Sequence, residues 1–443
     1  MARHARNPAR GAVVGRTLAV LAVTTAVAGG AAIAVSGQAP WLSTGTDVAD
    51  QAPRADAPVD AGVDESPAAT PTPTATPTPS PTPEPDSELT IVATGDLLPH
   101  MAVNTSARDG DGYDFGPLLA PLDDWVAGAD LALCHLEVPL VPEGRGPSGF
   151  PIFGAPRELA ANLATQGWDG CSTASNHSVD LGFRGVETTL DLLDDAGLGH
   201  VGTARSAAEG DAPQLYEIER HGRTTTIAHL AATYGTNGMP VDSDKPWSVQ
   251  LIDTEQIIEQ ATTAREDGAD VVLVSIHCCV EYVTAPSDLQ VEIGEALASS
   301  GVVDLVIGHH AHVPQPLALL DGGPHGEGMW IAYGLGNFLS NQDGNCCSAR
   351  TDSGLWLTAH VLHPDDGPAR VTDVEWTGVT VDRLGKHRTS ALAEITDGAG
   401  SLTASQVAAR YERVVEAAGD EARERTEPTK ATGPPPVVVP RPR

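Results

Sequence analysis

Three histidines, His309, His310 and His312, fall within four positions at the end of the apolar run in "VIGHHAHVPQ" (residues 306–315). Imidazoles gathered there either face solvent or converge on something that needs nitrogen ligands or proton carriers. On an extended segment His310 and His312 point the same way and His309 points away. That parity assigns the first two to one metal, or to two adjacent ones, and leaves His309 to stack or donate within a wall. Other metal-capable groups follow other apolar runs: Asp96 after "LTIVAT", Glu137 after "LALCHL", Asn176 and His177 after "GCSTAS", and His277 after "VVLVSI". A lone aspartate after a strand is ordinarily a turn or a helix cap, and a lone histidine a satisfied surface residue. Five such positions together read as one site. Carboxylate, carboxamide and imidazole donors suit Zn, Mn, Fe or Mg. Two ions about 4 Å apart could hold the attacking and leaving oxygens of a phosphoryl transfer.

Such residues need rigid elements to carry them, and the pattern supplies alternating strands and helices. "LTIVATGD", "ADLALCHLE" and "GWDGCSTASNH" read as strands, with "APRELAANLATQG" and "FRGVETTLDLLDDAG" as helices, the second closed by Gly197. "LYEIERHGRTTTIAHLA" reads as a hairpin around His221 and Gly222. "TEQIIEQATTAREDG", "ADVVLVSIH", "DLQVEIGEALASSG" and "VVDLVIGHH" then repeat helix, strand, helix, strand. "MWIAYGLGNF", "GLWLTAHVLH" and "ARVTDVEWTGVTV" close the domain, the last two antiparallel. The expectation is an α/β domain, its helices covering a sheet or a pair of sheets. The chemical groups then sit at the carboxyl ends of strands, where open α/β sheets bind ligands.

In this order the strings "TGDLLPH", "YDF", "ADLALCHLE", "SNHSVDLG", "SIHCCVEY", "IGHHAHVPQ" and "YGLGNF" resemble the CapA family of capsule or poly-γ-glutamate synthesis proteins. The resemblance covers residues 89–381 and implies a calcineurin-type metallophosphatase fold, a β-sandwich flanked by helices. By that resemblance Asp96, Glu137, Asn176, His277, His310 and His312 are the metal ligands. His177 and His310 are the residues that would handle protons, and Asp180 would orient His177. His100, His135, His309 and Asn337 are accessory candidates. This chain departs from the family pattern at three places: His135 replaces an asparagine, Cys278 and Cys279 replace Trp and Gly, and Leu98 stands where metallophosphatases carry a histidine. The ion count implied is therefore one or two.

Outside the domain the composition changes. Residues 1–40 have four arginines followed by a long uncharged run, the layout of a signal peptide or signal anchor. Residues 41–87 are dominated by Pro, Thr, Ala and Asp and read as a disordered stalk. Residues 88–400 form the domain, and 401–443 a helix and Pro-rich tail. The expected location is exported: the cell envelope, membrane-anchored or secreted. Six cysteines suit that compartment. Cys134 and Cys171 lie at similar heights on neighbouring strands and should bridge. The adjacent pairs Cys278–Cys279 and Cys346–Cys347 are expected to bridge to each other.

The net charge of −33, from 59 acidic and 26 basic residues, argues against a nucleic-acid surface. It suits a solvated exported shell, or cations as partners. Two functions remain. One is an envelope accessory protein for synthesis or export of an anionic extracellular polymer, working with membrane synthase or export partners. The other is an exported metal-dependent phosphoesterase acting on phosphorylated small molecules or wall polymers.

Overall fold

The computed structural model describes residues 85–443. The expected signal or anchor and nearly all of the stalk lie outside the described residues. Two sheets dominate, one of nine strands and one of seven. The first runs, edge to edge, through Arg388–Ala391, Arg370–Asp382, Ser353–His363, Ser87–Leu97, Leu131–Leu136, Gly170–Ser172 and Gly199–Val201. The second runs through Leu317–Leu320, Met329–Ala332, Leu305–His309, Val271–His277, Arg223–Thr233, Gln214–Arg220 and Val437–Val439. The first is antiparallel from Arg388–Ala391 to Ser87–Leu97 and parallel from there to its Gly199–Val201 edge, and the second has a parallel centre with antiparallel flanks. The chain is thus mixed α/β, with the parallel strand ends of both sheets available to one cleft.

Strand alternation sorts the side chains into layers. Leu89, Ile91, Leu131, Leu133, Leu273, Leu305 and Ile307 pack between the two sheets. Val92, Ala132, Cys134 and Leu136 point the other way, onto the helices Glu158–Gln166 and Gly182–Asp195. On the far side Val272, Val274 and Val306 meet the helices Thr254–Glu266 and Asp288–Ser300. Burying each of these aliphatic side chains stabilises the fold by roughly 1.5–3 kcal/mol. Ser287 and Gln290 form a capping box at the start of the helix Asp288–Ser300, and Gly301 ends it in a left-handed conformation.

The C-terminal stretch packs on the domain. Val437–Val439 extends the second sheet against Gln214–Arg220. Arg441 is buried, its guanidinium donating to the carbonyls of His200, Thr203 and Ala212. Upstream, Thr432 and Arg220 both donate to the buried carboxylate of Asp130.

The cysteines follow one expectation and overturn the other. Cys134 and Cys171 are register partners on adjacent strands and are disulfide-bonded. The adjacent cysteines do not cross-link: Cys278 bonds Cys279, and Cys346 bonds Cys347. The reason is placement. Cys278 is buried beside the histidine loop, where its amide donates to the His309 carbonyl at 3.3 Å, whereas both Cys346 and Cys347 turn back on the Asp343 carbonyl in a surface loop.

Candidate metal centre

The inter-sheet layer that starts with leucines and isoleucines ends in polar groups at the carboxyl ends of the strands. Leu131 and Leu133 share their face with His135, Leu273 with His277, and Leu305 and Ile307 with His309. His135 and His309, from opposite sheets, stack with ring centroids 3.9 Å apart. His309 therefore does not point away from the cluster. Its strand parity turns it into the inter-sheet layer, where Nδ1 lies 3.4 Å from Asp96 Oδ1. The strand ends at His309, and His310 and His312 lie beyond it in a turn with positive φ of 81° and 56°. They reach the cleft through that turn and not through extended alternation.

Two glycines make the close approaches possible. A Cβ at Gly95 would run into the Gly336 carbonyl oxygen, which accepts the Asp96 amide at 2.8 Å. At Gly308 a Cβ would strike the Tyr333 carbonyl, just before the histidine turn.

Asp96 and Glu137 form the acidic floor, both 0 % exposed. Both oxygens of Glu137 are buried with no hydrogen bond. His312 Nδ1 sits 2.9 Å from Asp96 Oδ2 and 3.2 Å from Asn337 Oδ1, and its hydrogen bond goes to Asn337. His312 Nε2 lies 3.7 Å from Glu137 Oε1, and His277 Nε2 lies 4.0 Å from the same oxygen. A polar chain runs across the layer: Ser172 Oγ to His135 Nδ1 at 2.8 Å, His135 Nε2 to His277 Nδ1 at 2.9 Å, and His277 Nε2 to Asn176 Oδ1 at 2.9 Å.

The electrostatics separate the two carboxyls. Burial pushes Glu137 well above the usual carboxylate range, and the neighbouring Asp96 charge adds to that. Burial acts on Asp96 the same way, but the closeness of His309 and His312 outweighs it and holds Asp96 well below its usual value. Burial would lower His312 too, yet the Glu137 and Asp96 charges raise it to about 9. Burial lowers His310 to about 3 and brings His135 and His277 well below 6.5, so these rings stay neutral; both nitrogens of His135 and His277 are hydrogen-bonded, while His310 Nδ1 has no partner.

Above the floor lies a cavity of about 330 Å³, lined by His177, Asn176, Asp180, His312 and His100 among others. Asp180 Oδ2 is 2.8 Å from His177 Nδ1 and also accepts the Phe153 amide at 2.7 Å. His100 donates Nδ1–H to the Leu98 carbonyl at 2.9 Å. Neither His100 nor His177 falls in a set of three groups able to share an ion; those sets are Asp96, His135 and His277; Asp96, Glu137 and His312; and Glu281, His310 and His312. Asn337, buried, ties His312 to the Thr351 carbonyl and to Gln342. Leu98 lines the cavity where a further imidazole could have stood.

Sequence reasoning did not single out Glu281, Tyr234, Asn237 or Gln342. Asn237 binds Asn176 at 3.2 Å, Tyr234 packs on His310 with centroids 4.6 Å apart, and Gln342 holds Asn337 at 3.0 Å. Glu281 carried the one available signal, as an acid four residues beyond a candidate ligand.

The donor set fits a divalent cation. Buried carboxylate oxygens without partners are expensive, and carboxylate with neutral imidazole is what such an ion takes. The class defined is an α/β two-sheet protein with a carboxylate–imidazole cleft at its parallel strand ends. The chain belongs to the family described as "Bacterial capsule synthesis protein PGA_cap", whose profile matches residues 90–342. It is 29% identical to the PGA biosynthesis protein CapA of Bacillus subtilis over 46% of this chain and 50% of that one. To the capsule biosynthesis protein CapA of Bacillus anthracis it is 27% identical, over 42% of this chain and 44% of that protein. These alignments span about half the length of either relative. Among solved structures, the NAD nucleotidase of Haemophilus influenzae aligns with a TM-score of 0.42 at 12% identity, covering 76% of this chain and 58% of that one.

Proposed function

We propose that this protein is an exported accessory factor for synthesis or export of an anionic extracellular polymer, a capsule or poly-γ-glutamate, and that its cleft holds one or two divalent cations on a metallophosphatase-type domain. Family membership supports the polymer role. The cation reading is carried by one observation: two fully buried carboxylates, Asp96 and Glu137, the second with neither oxygen hydrogen-bonded, stand among the imidazoles of His277, His310 and His312. Asp96, Glu137, Asn176, His277, His310 and His312 would hold the ion, with Asn337 and His135 fixing ligand orientation. A bound divalent cation supplies a Lewis-acid charge that draws a carboxylate or phosphate oxygen into the cleft. The chain's own residues would admit the anion past His100 and Phe153 and orient it against Asn176 and His177. The N-terminal signal or anchor and the stalk would place the domain outside the membrane, within reach of membrane synthase or export partners.

A second reading, an exported phosphoesterase, has one specific observation in its favour. With Nδ1 engaged by Asp180, His177 keeps Nε2 to hold or pass a proton at the cavity wall.

Deleting the gene and complementing it separates the readings. Full-length protein should restore surface polymer, and His310→Ala/His312→Ala should not, at equal protein level. Polymer restored by that double variant would remove the case for the cleft. Hydrolysis of a phosphoester by the purified full-length protein, abolished in His177→Ala, would move the assignment to the second reading.

A further inference from the structure

Glu281 stands outside the ligand set that the family resemblance implies, yet its carboxylate, one nitrogen of His310 and one of His312 lie within 4.8 Å of one another. The three groups differ in setting. His310 and His312 are both 2 % exposed, whereas Glu281 is exposed on the loop after the strand Val271–His277. His310 Nδ1 is buried with no hydrogen-bond partner, so an imidazole of this trio has an unspent donor position.

The loop is fastened to the histidine turn at several points. The Tyr282 amide donates to the Ala311 carbonyl at 2.8 Å, between the two histidines. Gln315 Nε2 holds the Val283 carbonyl at 2.8 Å, and Gln290 holds Gln315 at 2.7 Å. Glu281 is therefore presented by a braced backbone at the mouth of the cavity.

A neutral imidazole has one lone pair to give, so His312 can serve the inner carboxylates Asp96 and Glu137 or the outer group, and not both. We propose that Glu281 is a cation ligand: with His310 and His312 it forms an outer divalent-cation position at the mouth of the cleft, leaving Asp96, Glu137, Asn176 and His277 to the inner one and giving this chain two ion positions of unequal exposure. The inference rests on the cation reading above and adds to it the second ion and its oxygen ligand. Oxygen and imidazole together suit Mn²⁺ or Zn²⁺. An ion so placed would present open coordination sites to solvent, where the carboxylate or phosphate of an incoming anion could bind.

The test is Mn²⁺ binding to the full-length protein, by calorimetry and by electron paramagnetic resonance of the bound ion, in wild type and Glu281→Gln. The expected result is two ions in the wild type, with the weaker one weakened at least tenfold in Glu281→Gln and the tighter one unchanged. The tighter one should instead be lost in Glu137→Gln. Two ions bound equally well by Glu281→Gln, or a single ion that Glu281→Gln retains, would overturn the outer position and leave the cation reading standing. No Mn²⁺ or Zn²⁺ bound by the wild type would overturn both. Glu281 is exposed, so its glutamine variant tests ligation without a folding defect.

Discussion

His277 Nε2 and Asn176 Oδ1 approach to 2.9 Å, one from each sheet. That is about the edge of an octahedron with 2.0–2.1 Å bonds, so two ligand atoms already stand at the spacing that a shared ion imposes. Behind His277, the pair of His135 and Ser172 fixes which ring nitrogen faces the cleft.

His135→Ala should therefore lower divalent-cation affinity by about 10- to 100-fold, because His277 loses the partner that orients it. Calorimetry with Mn²⁺ checks this. His135→Asn, which restores the residue common in the family, should recover most of the loss.

Glu137→Gln should act in opposite directions on stability and binding. Burial disfavours the Glu137 charge when no ion is present, so the neutral amide should stabilise the metal-free protein by about 1–2 kcal/mol at neutral pH. The same change should abolish tight cation binding. Thermal melts with and without Mn²⁺ would show a higher metal-free midpoint and no upward shift on adding the ion.

Asp180→Asn separates proton handling from ion binding. Cation affinity should stay within about threefold, because Asp180 touches His177 and the Phe153 amide and no member of the ion-sharing sets. Any phosphoester turnover should fall by about 100-fold or more, because His177 loses the carboxylate that orients it. A pH–rate profile beside a Mn²⁺ titration reads both.

A pH effect on stability should arise far from the cleft. Burial raises Asp169 from 3.8 to about 7 while its carboxylate accepts the Ala132 amide at 2.7 Å. Between those values the folded state keeps a proton that the unfolded state has released. Stability from this group is therefore present below pH 3.8 and lost as pH rises toward 7. Asp169→Asn can keep the hydrogen bond and lacks the titration. It should be more stable than wild type above pH 7 by roughly 1–3 kcal/mol, allowing for partial exposure, and equal to it near pH 4. Urea midpoints at the two pH values check the sign.

Much of this arrangement was legible because strands and ligands obey short-range rules. Asp96, Glu137, Asn176, His277 and His309 each follow an apolar run, and the runs are the strands. What escaped depended on backbone geometry and on loops. His309 stacks on His135 within the wall, the role parity left to it, but for its neighbours parity was counted through a turn: the strand stops at His309, and positive φ at His310 and His312 sets the direction of both side chains. The cysteine pairs were mispaired because spacing says nothing of which loop faces which. Asn237 and Gln342 reach the cleft from irregular segments that carry no periodicity. Glu281 lies within the string "SIHCCVEY", but its loop position hid that it would face His310 and His312.

The cleft draws Asp96, Glu137 and Asn176 from one sheet and His277, His309, His310 and His312 from the other. The inner group, with Asp96 and Glu137 from one sheet and His277 from the other, needs both sheets, whereas the outer group of Glu281, His310 and His312 does not. Ion capture by the inner group is thus thermodynamically linked to the docking of one sheet on the other: an ion that binds only the docked form must pull the halves together in proportion to its concentration. Removing that ion would loosen the joint, and the cohesion of the protein would follow the supply of metal around it.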